Sequence, residues 1–297
     1  MLIDPEGTAL AAFLWDDMVR GGASAAAAPT SEAKREIPFP VDEYAKCTSC
    51  PKRCGFDRTR RAHPACGDLE LRVASYGLAL GDEPEISGCN GSGAIMLSGC
   101  PLRCPSCHSL EMVKEGTAVT IGDFVGICHE LQAQGAHNVQ ILSPTCHQPA
   151  LRVAIRLLKQ EKFALPIVWK SSGFESAEEL KKLEGLVDVY LPDLKFGSCS
   201  QWAVKAGAKN YFEVAKAAVK EMIRQAGALQ TDESGIVIKG VLVRHVRAPL
   251  PPEETKEIEA YLRSLPAGVK ISYLKDFMLL DDFSLAEAKK RAASAEP

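Results

Sequence analysis

Seven of the eleven cysteines in this 297-residue chain fall in two short runs, and that clustering narrows the possible folds more than any other feature. The first run is Cys47, Cys50, Cys54 and Cys66, spaced C-x2-C-x3-C-x11-C, with turn formers and cations between them (Pro51, Lys52, Arg53, Gly55, Arg58, Arg60, Arg61). A segment this small cannot bury a core of its own, so four thiols gathered in it point to a bound metal. Structural zinc favours two close cysteine pairs, whereas here the last cysteine stands alone. The cations would offset the negative charge of an iron–sulfur cluster. A cluster, zinc and reduced structural thiols all stay open for this run.

The second run, Cys100, Cys104 and Cys107, is spaced C-x3-C-x2-C and follows a strand candidate directly, in Gly93-Ala-Ile-Met-Leu-Ser-Gly-Cys-Pro-Leu-Arg-Cys-Pro-Ser-Cys-His108. Three close thiolates can hold three irons of a [4Fe–4S] cube and leave the fourth open to a small molecule. The competing reading is a zinc loop completed by a distant ligand such as His108. Of the other cysteines, Cys128 reads as a core thiol and Cys199 as incidental. Cys146 sits at a strand end, where it reads as a packed thiol, a hydrogen-atom donor or a metal ligand.

Composition excludes several classes of function. A formal net charge of -3 gives no electrostatic footprint for nucleic acid or an anionic membrane. No apolar stretch approaches the length of a membrane span. Asp4, Glu6, Asp16 and Asp17 argue against a signal peptide, so a cytoplasmic location is expected, where clustered thiols bind metal rather than form disulfides.

Residues 1–20 read as a short amphipathic helix (Leu10, Phe13, Leu14), and 21–30 as a linker rich in Gly, Ala and Ser. The expected organisation is an N-terminal helix and linker over 1–43, a cysteine-rich metal-binding module over 44–86, and a main domain over 87–297. From Ala94 onward strand and helix signals alternate, with strands expected at Ala94–Ser98, Asn138–Ser143, Pro166–Lys170, Val187–Leu191, Val237–Val246 and Val269–Leu274. Helical faces recur at Ile121, Phe124, Val125 and Cys128, at Leu151, Ala154, Ile155 and Leu158, and at Ala215, Ala218, Val219, Met222 and Ile223. Six β/α repeats predict an α/β fold, a partial (βα)6 TIM-like barrel with its site in the loops after the strands. A doubly wound sheet is the alternative.

Further stretches carry a resemblance: Glu83-Pro-Glu-Ile-Ser-Gly, Gly91-Ser-Gly, Ser98-Gly-Cys, Gly135-Ala-His-Asn, Ser143-Pro-Thr, Ser172-Gly-Phe-Glu, Val187-Asp-Val-Tyr-Leu-Pro-Asp-Leu-Lys, Glu221-Met-Ile-Arg-Gln and Arg244-His. With the second cysteine run, and from about Cys47 to about Pro249, the chain resembles the radical S-adenosylmethionine (radical SAM) enzymes related to pyruvate formate-lyase activating enzyme. The resemblance implies a [4Fe–4S] cluster on Cys100, Cys104 and Cys107, and a comparable cysteine set upstream for a second iron–sulfur cluster or zinc. It implies reductive cleavage of SAM to a 5′-deoxyadenosyl radical that abstracts hydrogen from a protein or peptide substrate, such as a glycyl-radical enzyme. Flavodoxin or ferredoxin would be the reductant.

For SAM the resemblance implies backbone groups of Ser143 and Thr145, the Lys170–Ser171 segment, Asp193 and Lys195 near the SAM carboxylate, and Arg244. It assigns no catalytic side chain. Two positions depart from the family: Ser106 stands where an aromatic residue commonly helps hold adenine, and Lys170 where an acidic residue helps bind a monovalent cation. The Lys170 ammonium is expected to supply that positive charge itself, and potassium-dependent SAM cleavage would count against this. The reading from a different class is a non-catalytic iron–sulfur protein for electron transfer or redox sensing.

Overall fold

The protein is described here by a computed structural model covering residues 37–80, 83–104, 107, 116–246 and 250–274. The expected helix over 1–20, the linker, Ser106 and His108 lie outside these residues. The described residues open with α1 (Val41–Ala45) and continue through β1 (Leu71–Ala79), α2 (Pro84–Ser87), β2 (Ser92–Leu97), β3 (Thr117–Val119), α3 (Ile121–Ala133) and β4 (Val139–Leu142). A 3-10 turn (Pro144–His147) leads into α4 (Gln148–Gln160), β5 (Ile167–Ser171), α5 (Ala177–Lys181) and β6 (Val189–Leu194). Then come α6 (Gln201–Lys205), α7 (Tyr211–Ala226), β7 (Gln230–Thr231), β8 (Val237–Val246), α8 (Pro252–Arg263) and β9 (Lys270–Leu274).

The long helices form where the periodicity predicts them. In α3 a capping box starts the helix, with Thr120 accepting from the Asp123 N–H and the Asp123 side chain accepting from the Thr120 N–H. Its buried stripe is Ile121, Phe124, Val125, Cys128 and Leu131, each burial contributing about 1.5–3 kcal/mol. α7 buries Ala215, Ala218, Val219 and Met222 and ends at Gly227 with φ +73.

All the sheet's strands from β2 onward except β3 and β7 run parallel, in the sequential order β2-β4-β5-β6-β8-β9. β1 pairs antiparallel with β2 and β3 on one side, and β7 pairs antiparallel with β8. The order never reverses, so the sheet has no switch point of the doubly wound kind. Right-handed crossovers in one direction put the helices on one face. That face carries Ile95, Leu97, Val139, Ile141, Ile167, Trp169, Tyr190, Val241 and Val243 in the main core. The opposite face holds smaller apolar groups, Ala94, Met96 and Leu142 in one and Val168, Val189, Leu191 and Leu242 around Ile86 of α2 in the other. Among the described residues no pairing joins β9 to β2. The shape shown is a mixed α/β fold on a central, mostly parallel sheet.

Three differences from the sequence reading matter. Strand β6 begins two residues later than expected and runs on through Pro192, which pairs in register with Ser171, to Leu194. Proline removes a ladder donor and so reads as a strand end, yet here it lies inside one. Asp193 is consequently a sheet residue, not a loop residue. The second difference is β1, whose single β-branched residue gives little strand signal, and which joins the sheet although it lies within the stretch expected as a separate cysteine module. The third is α2, whose Ile86 plugs the face opposite the helices.

Candidate metal and cofactor site

The loop after β2 is pinned on both sides. Gly99 has φ +87, and a Cβ there would lie 2.9 Å from the Cys66 carbonyl oxygen, so only glycine lets the two cysteine runs touch. The Cys100 N–H donates to Ala65 O at 3.0 Å, the Arg103 N–H to Ala206 O at 3.1 Å, and Leu102 is buried between. The Cys107 N–H then donates to Cys104 O at 3.1 Å, closing a turn. Burial pushes the Cys100 thiol up to about 12 and the Cys104 thiol up to about 11. The other thiols of the run add to the rise, and the Lys195 ammonium opposes it in both.

These thiols are therefore protonated in the free protein, and a bound metal would release their protons. The donor set has the chemistry of a thiolate-bound metal. Among the described residues, however, no three His, Cys, Asp or Glu side chains are drawn together into a metal-binding group.

Facing this loop, on the side opposite the helices, lies a chain of charges. Asp193 and Arg244 stand directly across from each other on β6 and β8, with Arg244 Nε donating to Asp193 Oδ1 at 2.8 Å. Lys195 Nζ takes the other oxygen at 2.7 Å. Arg244 also reaches toward Glu83 (3.8 Å), whose second oxygen accepts from the Ser272 hydroxyl at 2.8 Å. Burial alone would raise the Asp193 carboxyl, but Arg244, Lys195 and Lys170 overcome it and hold the group down at about 2. Asp193 is thus a fixed anion. Tyr211, fully buried on α7, clamps the region: its hydroxyl lies 2.7 Å from Ser172 O and 2.8 Å from Asp193 O, and accepts from the Lys195 N–H at 2.9 Å.

No family model matches the chain. An uncharacterized protein of Methanocaldococcus jannaschii is 26% identical to it over 184 residues, which is 58% of this chain and 52% of that protein. The chain spans about half the length of this relative.

Two of the residues expected at the cofactor also bond a buried carboxyl. Thr145 Oγ1 donates to Glu175 Oε1 at 2.7 Å, and Ser171 also bonds Glu175, joined by Trp169 Nε1 at 3.4 Å. Glu175 is 2% exposed, and burial lifts its carboxyl to about 7 against these three donors. The backbone groups expected to face a ligand at Thr145 are not engaged by this carboxyl. Ser143 has φ +56, a left-handed conformation that costs a residue with a side chain about 1–2 kcal/mol. Such strain at a strand end is characteristic of binding sites. His147 is buried and held neutral, down at about 4, by burial and then by Arg58, and it bonds Ser98 O through Nε2 at 2.8 Å. His245 Nδ1 is 2.9 Å from Leu194 O, a structural placement.

In the upstream run Cys47 and Cys50 are buried, Cys66 is half-buried and Cys54 is exposed. Burial raises Cys50 to about 12, and Cys66, Cys47 and Cys54 add to the rise. Their turn is closed by the Cys47 N–H on Phe56 O (3.2 Å) and the Gly55 N–H on Cys47 O (3.1 Å). Glu175 and Tyr211 went unnoticed in the sequence, and Arg58 was read only as one cation of the upstream run. Only the Ser172-Gly-Phe-Glu match hinted at the first. A separate cavity of about 330 Å3, lined by Gly88, Cys89, His137 and Ile236, lies at the opposite end of the strands. No helix among the described residues is long and apolar enough to cross a membrane.

Proposed function

We propose that the chain is a radical SAM enzyme of the activating-enzyme type, abstracting hydrogen from a protein or peptide. The observation that carries this reading is one juxtaposition. Three thiols follow the first of six sequentially ordered parallel strands, and two of them lie within the electrostatic reach of Lys195 after the fourth. Such an order fits a partial (βα)6 TIM-like barrel, whose loops after the strands build the site. Cys100, Cys104 and Cys107 would hold a [4Fe–4S] cluster, which when bound supplies the electron that cleaves SAM to a 5′-deoxyadenosyl radical.

The chain's own residues would do the binding. Lys195 and Lys170 offer cations to a carboxylate, and Asp193, ionised at every physiological pH, offers an anion to an amino group. Arg244 holds Asp193 in place from the next strand. The strained Ser143 and the turn after it present backbone groups at the neighbouring strand end. Cys47, Cys50, Cys54 and Cys66 would hold a second iron–sulfur cluster or zinc. A glycyl-radical enzyme as substrate, a flavodoxin or ferredoxin as reductant and a cytoplasmic location belong to the same reading.

The test is 5′-deoxyadenosine release from anaerobically reconstituted, reduced protein given SAM, beside Cys104→Ala. Product that depends on Cys104 is expected. An intact, reducible cluster that yields none would refute catalysis and favour electron transfer or redox sensing.

A further inference from the structure

Cys146 has no part in that reading, yet the fold places it with care. It lies in the 3-10 turn after β4, 2% exposed, and the group that acts on its thiol most strongly is the Cys66 thiol of the upstream run. The backbone holds the two cysteines together. Arg58, itself 1% exposed, donates from Nη1 to Cys146 O at 2.5 Å and from Nη2 to Cys66 O at 3.0 Å. A guanidinium is planar and rigid, so two of its nitrogens fix the two cysteines relative to each other. Its Nε donates to Asp68 O at 2.9 Å and Gly67 O at 3.2 Å, and the group stacks 4.8 Å above the Tyr44 ring. Gly99 packs against the Cys66 carbonyl from the other side. Neither cysteine can drift from the other without breaking this frame.

We infer that Cys66 and Cys146 form a redox-active dithiol, which closes to a disulfide when the upstream cysteines carry no metal. Accessibility sets the order of events. Of the two, half-buried Cys66 is the one a reagent reaches, and buried Cys146 resolves. With glutathione disulfide as oxidant, the Cys66 thiolate attacks one reagent sulfur and expels a glutathione thiolate, leaving a mixed disulfide on Cys66. Cys146 loses its proton, attacks the Cys66 sulfur and expels the second glutathione. In sum two protein thiols give up two electrons and two protons, and the reagent takes them to become two thiols. The bond withdraws Cys66 from the upstream set and ties the Pro144–His147 turn to it. The inference rests on the Arg58 clamp that holds the two cysteines together and stands apart from the radical SAM reading.

The experiment uses the full chain, stripped of metal by chelator and reductant, desalted anaerobically and treated with glutathione disulfide. Remaining thiols are alkylated with N-ethylmaleimide, and the digest is read by mass spectrometry. A Cys66–Cys146 cross-linked peptide is expected in the wild type, and a persistent Cys66–glutathione adduct in Cys146→Ser. Cys66 bonded to Cys47, Cys50 or Cys54, or left open to alkylation, would overturn the dithiol. The wild-type map needs no variant, so a misfolded Cys146→Ser leaves the test decisive. In zinc-saturated protein the cross-link is expected to fall at least tenfold. Equal cross-linking there would overturn the dependence on an empty metal site. Failure to release 5′-deoxyadenosine would touch neither result.

Discussion

Replacing Glu175 by Gln should make the protein more stable, by an amount that grows as pH rises from about 4.5 to about 7. The carboxyl is buried beneath the loops after β4 and β5, and it titrates at about 7 in the fold against an ordinary value of 4.5. The sign follows from proton binding. Between those two values the folded state keeps a proton that the unfolded chain has released, so stability falls as pH rises. Each pH unit costs about 1.4 kcal/mol, giving a total near 3 kcal/mol that is absent below pH 4.5 and complete above about pH 7. Glutamine has nearly the same shape, can accept from Thr145, Trp169 and Ser171, and does not ionise. Urea unfolding of the metal-free protein near pH 4 and near pH 8 isolates the effect, since every other titrating group cancels in the difference between variant and wild type. The two should match near pH 4, and the variant should gain about 3 kcal/mol near pH 8. Parallel pH profiles, or a variant less stable near pH 8, would show that the carboxyl is ionised in place and the reasoning wrong.

Gly173→Ala should destabilise the fold by more than about 2 kcal/mol in the same urea assay. The residue has φ +74, and a Cβ would lie 2.3 Å from the Asp193 carbonyl oxygen, so β6 must shift where Asp193 is presented. Unchanged stability would mean that this close approach is not held in solution. Arg244→Met removes the buried cation opposite Asp193 and beside Glu83, and is expected to cost about 3 kcal/mol, because two carboxylates lose a buried partner. Near-neutral stability in denaturant would show that Lys195 alone satisfies Asp193.

The chain's local pattern was enough to place the strands β2, β4, β5, β8 and β9 within a few residues, and the helices α3, α4 and α7, because period-2 and period-3.6 burial is written into neighbouring residues. It also sufficed to mark both cysteine runs, since thiols that close together are rarely explained by packing. Weak or broken local signals failed. β1 has one β-branched residue, and β6 continues through a proline that its neighbours on both sides hold in the ladder. Everything that depends on distant partners was settled by the tertiary structure alone. Asp193 became a fixed anion because Arg244, 51 residues away, sits across from it on β8. The Thr145 and Ser171 hydroxyls serve Glu175 because that carboxyl is buried beside them. Arg58 and Cys146, 88 residues apart, meet because the first cysteine run folds over the end of the sheet. A polar group's charge and partners follow from what covers it, and that is decided by packing between segments that carry no record of each other in the local sequence.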